Sequence, residues 1–136
     1  MTSHFVDTGP LVALLNPRDT HHGWVRSVLA ELPTPVGTCE AVIAEACYLL
    51  RRIHGGSAAV LEMVSRGALS VDFALESEIE PVAALMTKYA DAPMSLADAC
   101  LVRMTELERD SVVVTTDRDF TRYRRNRRQT IPVAIP

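Results

Sequence analysis

Apolar residues recur along this chain in two rhythms that alternate. Short apolar or alternating runs read as strands: "HFVD" at 4–7, "PVGTC" at 35–39, "ALSVDFA" at 68–74, "SVVVTT" at 111–116 and "IPVAI" at 131–135. Between them lie longer stretches with helical spacing. "TGPLVALLN" follows the first strand, with Pro10 in a first turn where its missing N–H costs nothing. A second helix is expected over 19–32 with Asp19 as N-cap, and a third over 40–54, stopped by Gly55 and Gly56. Further helices are expected over 57–67, over 77–90 with Pro81 in the first turns, and over 95–109. Helices alternating with apolar strands predict an α/β protein whose parallel sheet is covered on both faces. In such folds the functional crevice lies at the carboxyl ends of the strands.

No internal repeat, low-complexity linker or composition break divides the chain, so 1–136 reads as a single domain, long enough to bury a core without disulfides. Cys39, Cys47 and Cys100 sit inside apolar runs without CxxC spacing and read as reduced core residues, which points to the cytoplasm. The N-terminus lacks the pattern of a signal peptide, and no apolar run approaches the ~20 residues of a membrane span.

The net charge of −3 conceals an uneven distribution. Residues 118–128, "RDFTRYRRNRR", carry six arginines and one aspartate, which leaves the rest of the chain strongly acidic. A basic segment beside an acidic body suits a protein that binds a polyanion near a metal site. A solvated terminal helix accounts for the same run equally well.

Four acids occupy positions where acids are unusual. Asp7 ends the first strand and Asp117 ends the fourth; side by side and parallel, these strands would present both from one edge. Each is also placed to cap a following helix. Glu45 is the only charge in "AVIAEACYLL", a segment expected to be largely buried, where a carboxylate needs a metal or a salt bridge to Arg51 or Arg103. Glu40, about 140° around that helix by ~100° per residue, is expected to face water. Asp98 interrupts "MSLADACLV"; Ser95 and Asp98 match the S-x-x-D capping box, yet a third helical residue also stands at the helix mouth. Converging carboxylates without a cysteine or histidine pair select a hard cation, Mg²⁺ or Mn²⁺, able to activate water and neutralise a phosphodiester. On this reading Asp117 serves the metal and Asp119 caps the next helix.

The segments "FVDTGPLVALLN", "DTHH", "EAVIAEACYLL", "KYADAPMSLADACLV" and "VVVTTDRDF", in that order and spacing, resemble the PIN-domain ribonucleases, close to the toxin-type subgroup of bacterial toxin–antitoxin pairs. The resemblance covers nearly the whole chain. It implies a three-layer αβα sandwich with a five-stranded parallel sheet, and a Mg²⁺- or Mn²⁺-dependent endoribonuclease, dimeric, with RNA as substrate and an antitoxin protein as partner. Its acidic constellation falls on Asp7, Glu45, Asp98 and Asp117, all of them metal ligands. Thr115 matches the hydroxyl residue that orients the carboxylates. Asp91 matches an aspartate expected to brace its loop or cap the coming helix, and Asp19 with His22 match a D-x-x-H pattern read as structural.

Other doubly wound enzymes fit less well. Haloacid-dehalogenase-like phosphatases need a second aspartate where this chain has Gly9. Receiver domains need a lysine near a late strand end, whereas the one lysine, Lys88, falls inside an expected helix. The rival within the same fold is an RNA- or protein-binding module, or a housekeeping RNA-processing factor, with little catalysis. Intact acids weigh against it.

Overall fold

The computed structural model describes residues 1–136. Its first strand, β1 (Ser3–Val6), pairs in parallel with β4 (Ser111–Val114), Ser3 opposite Ser111 through Val6 opposite Val114. These two central strands are the longest of the sheet, and Val6, Val113 and Val114 are wholly buried on them. The flanking strands are pairs of residues: β2 (Val36–Gly37), β3 (Leu69–Ser70) and, at the far edge, Val133–Ala134. With β5 (Arg124–Arg125) and β6 (Gln129–Thr130) intervening in the chain, that last strand is β7. All five sheet strands are parallel, in the order β3-β2-β1-β4-β7. They lie within the apolar runs that predicted them, and the strands flanking β1 and β4 are shorter than those runs.

Six helices surround the sheet: α1 (Thr8–Leu15), α2 (His22–Ala30), α3 (Glu40–Leu49), α4 (Gly56–Ser65), α5 (Ile79–Lys88) and α6 (Leu96–Leu107). Packing of α1 on α2 and α3, of α3 on α4, and of α5 on α6 completes a three-layer αβα sandwich. None of these helices is long and apolar enough to cross a membrane. The core runs continuously from Val6 and Leu11 through Leu101 and Val102 to Phe120 and Tyr123.

Four local expectations are corrected. Asp19 does not cap α2, whose N-cap is His21; instead the Asp19 carboxylate accepts the His21 N–H at 2.9 Å and shapes the turn before the helix. The third helix ends at Leu49, five residues early, because a turn intervenes before Gly55 at φ 70°. It is also less buried than its composition suggests: Tyr48 is 62% and Leu49 55% exposed. The arginine-rich segment is no terminal helix. A 3₁₀ turn over Arg118–Thr121 leads into the antiparallel hairpin β5–β6, whose tip places Asn126 and Arg127 at positive φ.

Candidate active site

The sheet order reverses at β1 and β4: successive strands depart from β1 towards β3, and the chain returns to build β4 and β7 on its other side. A crevice opens at the carboxyl ends of such a pair. Asp7 and Asp117 emerge there. The Asp7 N–H still bonds the Val114 carbonyl at 3.0 Å, so its position is set by the β1–β4 ladder itself. Gly9 lets the start of α1 close onto the exit of β4, since a Cβ on Gly9 would collide with the Thr116 hydroxyl. At the position where a phosphatase would carry its second aspartate, a side chain would have to displace the Thr116 hydroxyl.

From the other direction α6 brings Asp98. The capping box read from the sequence is present: Ser95 Oγ accepts the Asp98 N–H at 3.1 Å, and Asp98 Oδ2 accepts the Ser95 N–H at 3.2 Å. One oxygen thus caps the helix while the carboxylate faces the crevice. One oxygen each from Asp7, Asp98 and Asp117 lie within 4.8 Å of one another. No lysine or arginine forms an ion pair with any of the three.

Hydroxyl groups hold the trio in place. Thr115, wholly buried, donates its hydroxyl to Asp7 Oδ2 at 2.8 Å and accepts the Asp117 N–H at 2.9 Å. Asp7 Oδ1 accepts the Thr8 N–H at 2.7 Å. Asp117 Oδ1 accepts the Asp119 N–H at 2.9 Å, so Asp117 itself caps the 3₁₀ turn. Asp119, expected in that role, pairs with Arg122 at 3.0 Å instead. Tyr123 donates its phenol to Asp98 Oδ2 at 3.1 Å.

Glu45 stands apart from the trio. It is half-buried and accepts the Thr8 hydroxyl at 2.9 Å, so Thr8 links it to Asp7. The salt bridges considered for it do not form: Arg103 pairs with Glu78 and Glu106, and Arg51 stacks on Tyr48. Glu40 faces water as expected. Asp91 neither caps α6, whose cap is Ser95, nor is buried; it lies exposed on the preceding turn. His22 is structural, its Nδ1 within 2.7 Å of the Ala13 carbonyl. Thr8 and Tyr123 were not anticipated. A hydroxyl directly after Asp7 was a readable signal for the first; the second is concealed among arginines.

Burial dominates the electrostatics of the site. It pushes the Asp7 carboxyl up to about 6, against the hydrogen bonds from Thr115 and Thr8 that favour the anion, with Asp98 and Asp117 adding repulsion. The Asp98 carboxyl is raised as well, first by burial and then, after opposing hydrogen bonds, by Asp117. The Tyr123 phenol is raised by burial and by the Asp98 carboxylate, which keeps it a donor. A divalent cation fits this donor set: three clustered carboxylates, no basic partner, and Asp98 Oδ1 and Asp117 Oδ2 free of the hydrogen bonds described.

A PIN domain model matches residues 4–126, which include all three aspartates. Ribonuclease VapC26 of Mycobacterium tuberculosis is 30% identical over 115 residues, or 83% of this chain and 85% of that protein. VapC20 of Mycobacterium tuberculosis, a toxin that cleaves the sarcin–ricin loop, superposes with a TM-score of 0.78 at 24% identity, over 88% of this chain and 94% of its own. VapBC2 of Rickettsia felis, solved with a DNA fragment from its promoter, superposes at 0.64 with 16% identity over 99% of each chain. At these identities the two structures speak to the fold. The chain belongs to the PIN-domain family, among its VapC-type members.

Proposed function

We propose that this protein is a Mg²⁺- or Mn²⁺-dependent endoribonuclease, the toxin of a toxin–antitoxin pair, with Asp7, Asp98 and Asp117 as metal ligands. The observation that carries this reading is the convergence of three carboxylates, two of them with raised pKa, at a crevice where no side-chain cation compensates them. When bound, the ion lowers the pKa of a water ligand and neutralises charge on the phosphodiester. The protein's own part is orientation. Thr115 fixes the Asp7 carboxylate and the Asp117 backbone together, and Tyr123 with Ser95 fixes Asp98. Glu45, tied to Asp7 through Thr8, would serve as a fourth acid at the rim of the site.

The setting follows from the reading. RNA is the substrate, and the family membership supports a cognate antitoxin. The exposed apolar face of α3, with Ala44, Tyr48 and Leu49, supports a homodimer. Three free cysteines suit the cytoplasm. Residues 1–136 work as one PIN unit, since β7 pairs with β4 beyond the matched residues.

Asp98→Asn provides the test. Asparagine retains an acceptor oxygen for Ser95 and Tyr123, so the variant is expected to fold. It should lose Mg²⁺-dependent RNA cleavage by more than roughly 100-fold, beyond the effect typical of an orienting partner. Cleavage at the wild-type rate would remove Asp98 from the site.

A further inference from the structure

Helix α3 is apolar on two sides. Val42, Ala46 and Leu50 are wholly buried in the core. Ala44 and Tyr48 stand two residues either side of Ala46, roughly 200° around the helix by ~100° per residue, and so lie opposite the core. With Leu49 they are exposed, and together with Glu45 they line an open hollow of about 390 Å³. A helix apolar on its outer side as well as its inner one carries a surface made for another molecule.

This outer side has an acid towards one end and a base at the other, and neither is paired. Glu45 uses Oε1 on the Thr8 hydroxyl at 2.9 Å and forms no ion pair. Arg51, just past the C-cap Leu50, is exposed and forms none either. It folds back along the helix: its guanidinium carbon lies 3.9 Å from the centre of the Tyr48 ring, and Nη1 donates to the Tyr48 carbonyl at 2.7 Å. Stacking therefore holds the cation level with Tyr48, with its other nitrogens free to donate outwards.

We infer that this surface is self-complementary, and that Arg51 of the partner subunit pairs with Glu45 across a two-fold axis, so that each candidate active site receives a residue from the second copy. An axis through the middle of Ala44–Leu49 packs α3 antiparallel on its copy, and each residue meets the one equally far beyond the axis. Ala44 then faces Leu49, and Glu45 faces Tyr48, the ring on which the guanidinium rests. A purely apolar partner would bury the Glu45 carboxylate uncompensated; a second copy brings its own cation to the right level. The inference rests on the homodimer reading and deepens it, because the interface reaches the acids: Glu45 holds the Thr8 hydroxyl, and the Thr8 N–H holds Asp7. The second copy supplies at the rim the cation that these acids lack within their own chain.

The test mixes two charge reversals and reads association by sedimentation of the full chain. Wild type should be a dimer. Glu45→Arg alone sets arginine against arginine, and Arg51→Glu alone sets glutamate against glutamate, so each should raise the dimer dissociation constant by at least about 10-fold. Mixed in equal amounts, the two variants should associate as tightly as wild type, because both contacts again join opposite charges; a role within one chain cannot produce that recovery. Arg51 is exposed, so its variants read the contact even where Glu45→Arg fails to fold: Arg51→Glu should weaken the dimer more than Arg51→Gln. A wild-type dimer that Arg51→Glu leaves intact, or reversals that stay apart when mixed, overturns the pairing and leaves the homodimer standing. A wild-type monomer overturns both. Loss of antitoxin binding in Arg51→Glu, with its dimer unchanged, assigns the surface to a protein partner and overturns the inference.

Discussion

Asp7 is a carboxylate that the fold prefers neutral. Its pKa of about 6 lies above the value it has in the unfolded chain, so the metal-free native state binds the extra proton. The stabilisation is therefore complete below about pH 4 and is lost as pH rises through 6. A shift of about two units corresponds to about 3 kcal/mol. Metal-free protein should thus melt at lower temperature at pH 7 than at pH 5, and Asp7→Asn should flatten that profile. A Mn²⁺ titration checks the partner claim: near pH 6 binding should release protons and raise the wild-type melting temperature, but not that of Asp7→Asn. An equal rise in both would remove Asp7 from the metal site. Thr115→Val keeps the shape of a buried side chain but strands the Asp117 N–H and deprives Asp7 of a donor; we expect a loss of about 1–3 kcal/mol and weaker Mn²⁺ binding, read by calorimetry. At this scale the sequence was partly legible. Asp98 announced its capping role because a capping box has a fixed spacing. Glu45 was misjudged as buried, since an apolar helix face looks the same whether it packs on the core or awaits another surface.

Among the elements, the arginine-rich segment departs most from its reading. Charge density alone cannot distinguish a helix from a hairpin, and the deciding contacts are non-local. Arg125 reaches the carbonyls at and just beyond the end of α6, where the helix dipole favours a cation. Its Nε has no partner, so the guanidinium is held by position rather than by full satisfaction. Arg125→Ala should destabilise the protein by about 2–3 kcal/mol in a urea melt, the scale of hydrogen bonds from a charged donor. The salt slope of RNA binding should not change in that variant. The strands and helices themselves were legible because each obeys one period over several residues, and only their ends moved, where turns such as that before Gly55 decide.

For the whole molecule, topology explains why acids distant in the chain meet. Asp7 and Asp117 are separated by most of the sequence, yet the parallel pairing of β1 with β4 places their exits side by side. A sequence reveals strand identity but not strand order, and the meeting of these two residues depends on the order. The assembly is likewise a property of the whole. If α3 forms the proposed dimer face, the paired change Tyr48→Glu/Leu49→Glu should convert a dimer to a monomer in sedimentation experiments. A wild-type monomer would refute the assembly.

The ladder that carries Asp7 continues through the site. The Asp7 amide bonds Val114, and Thr115, the donor to Asp7, sends its own amide to the Ala134 carbonyl on the adjoining strand. Backbone protons at these positions should exchange with deuterium only when the entire domain opens, since the central strands of a sheet are the last to yield. Carboxylates mounted on a flexible loop can drift apart when their counter-ion leaves. Asp7 and Asp117 stand at the exits of the two central strands, so on the proposed reading loss of a cation would be answered by uptake of a proton rather than by movement, and the crevice would keep its shape between turnovers.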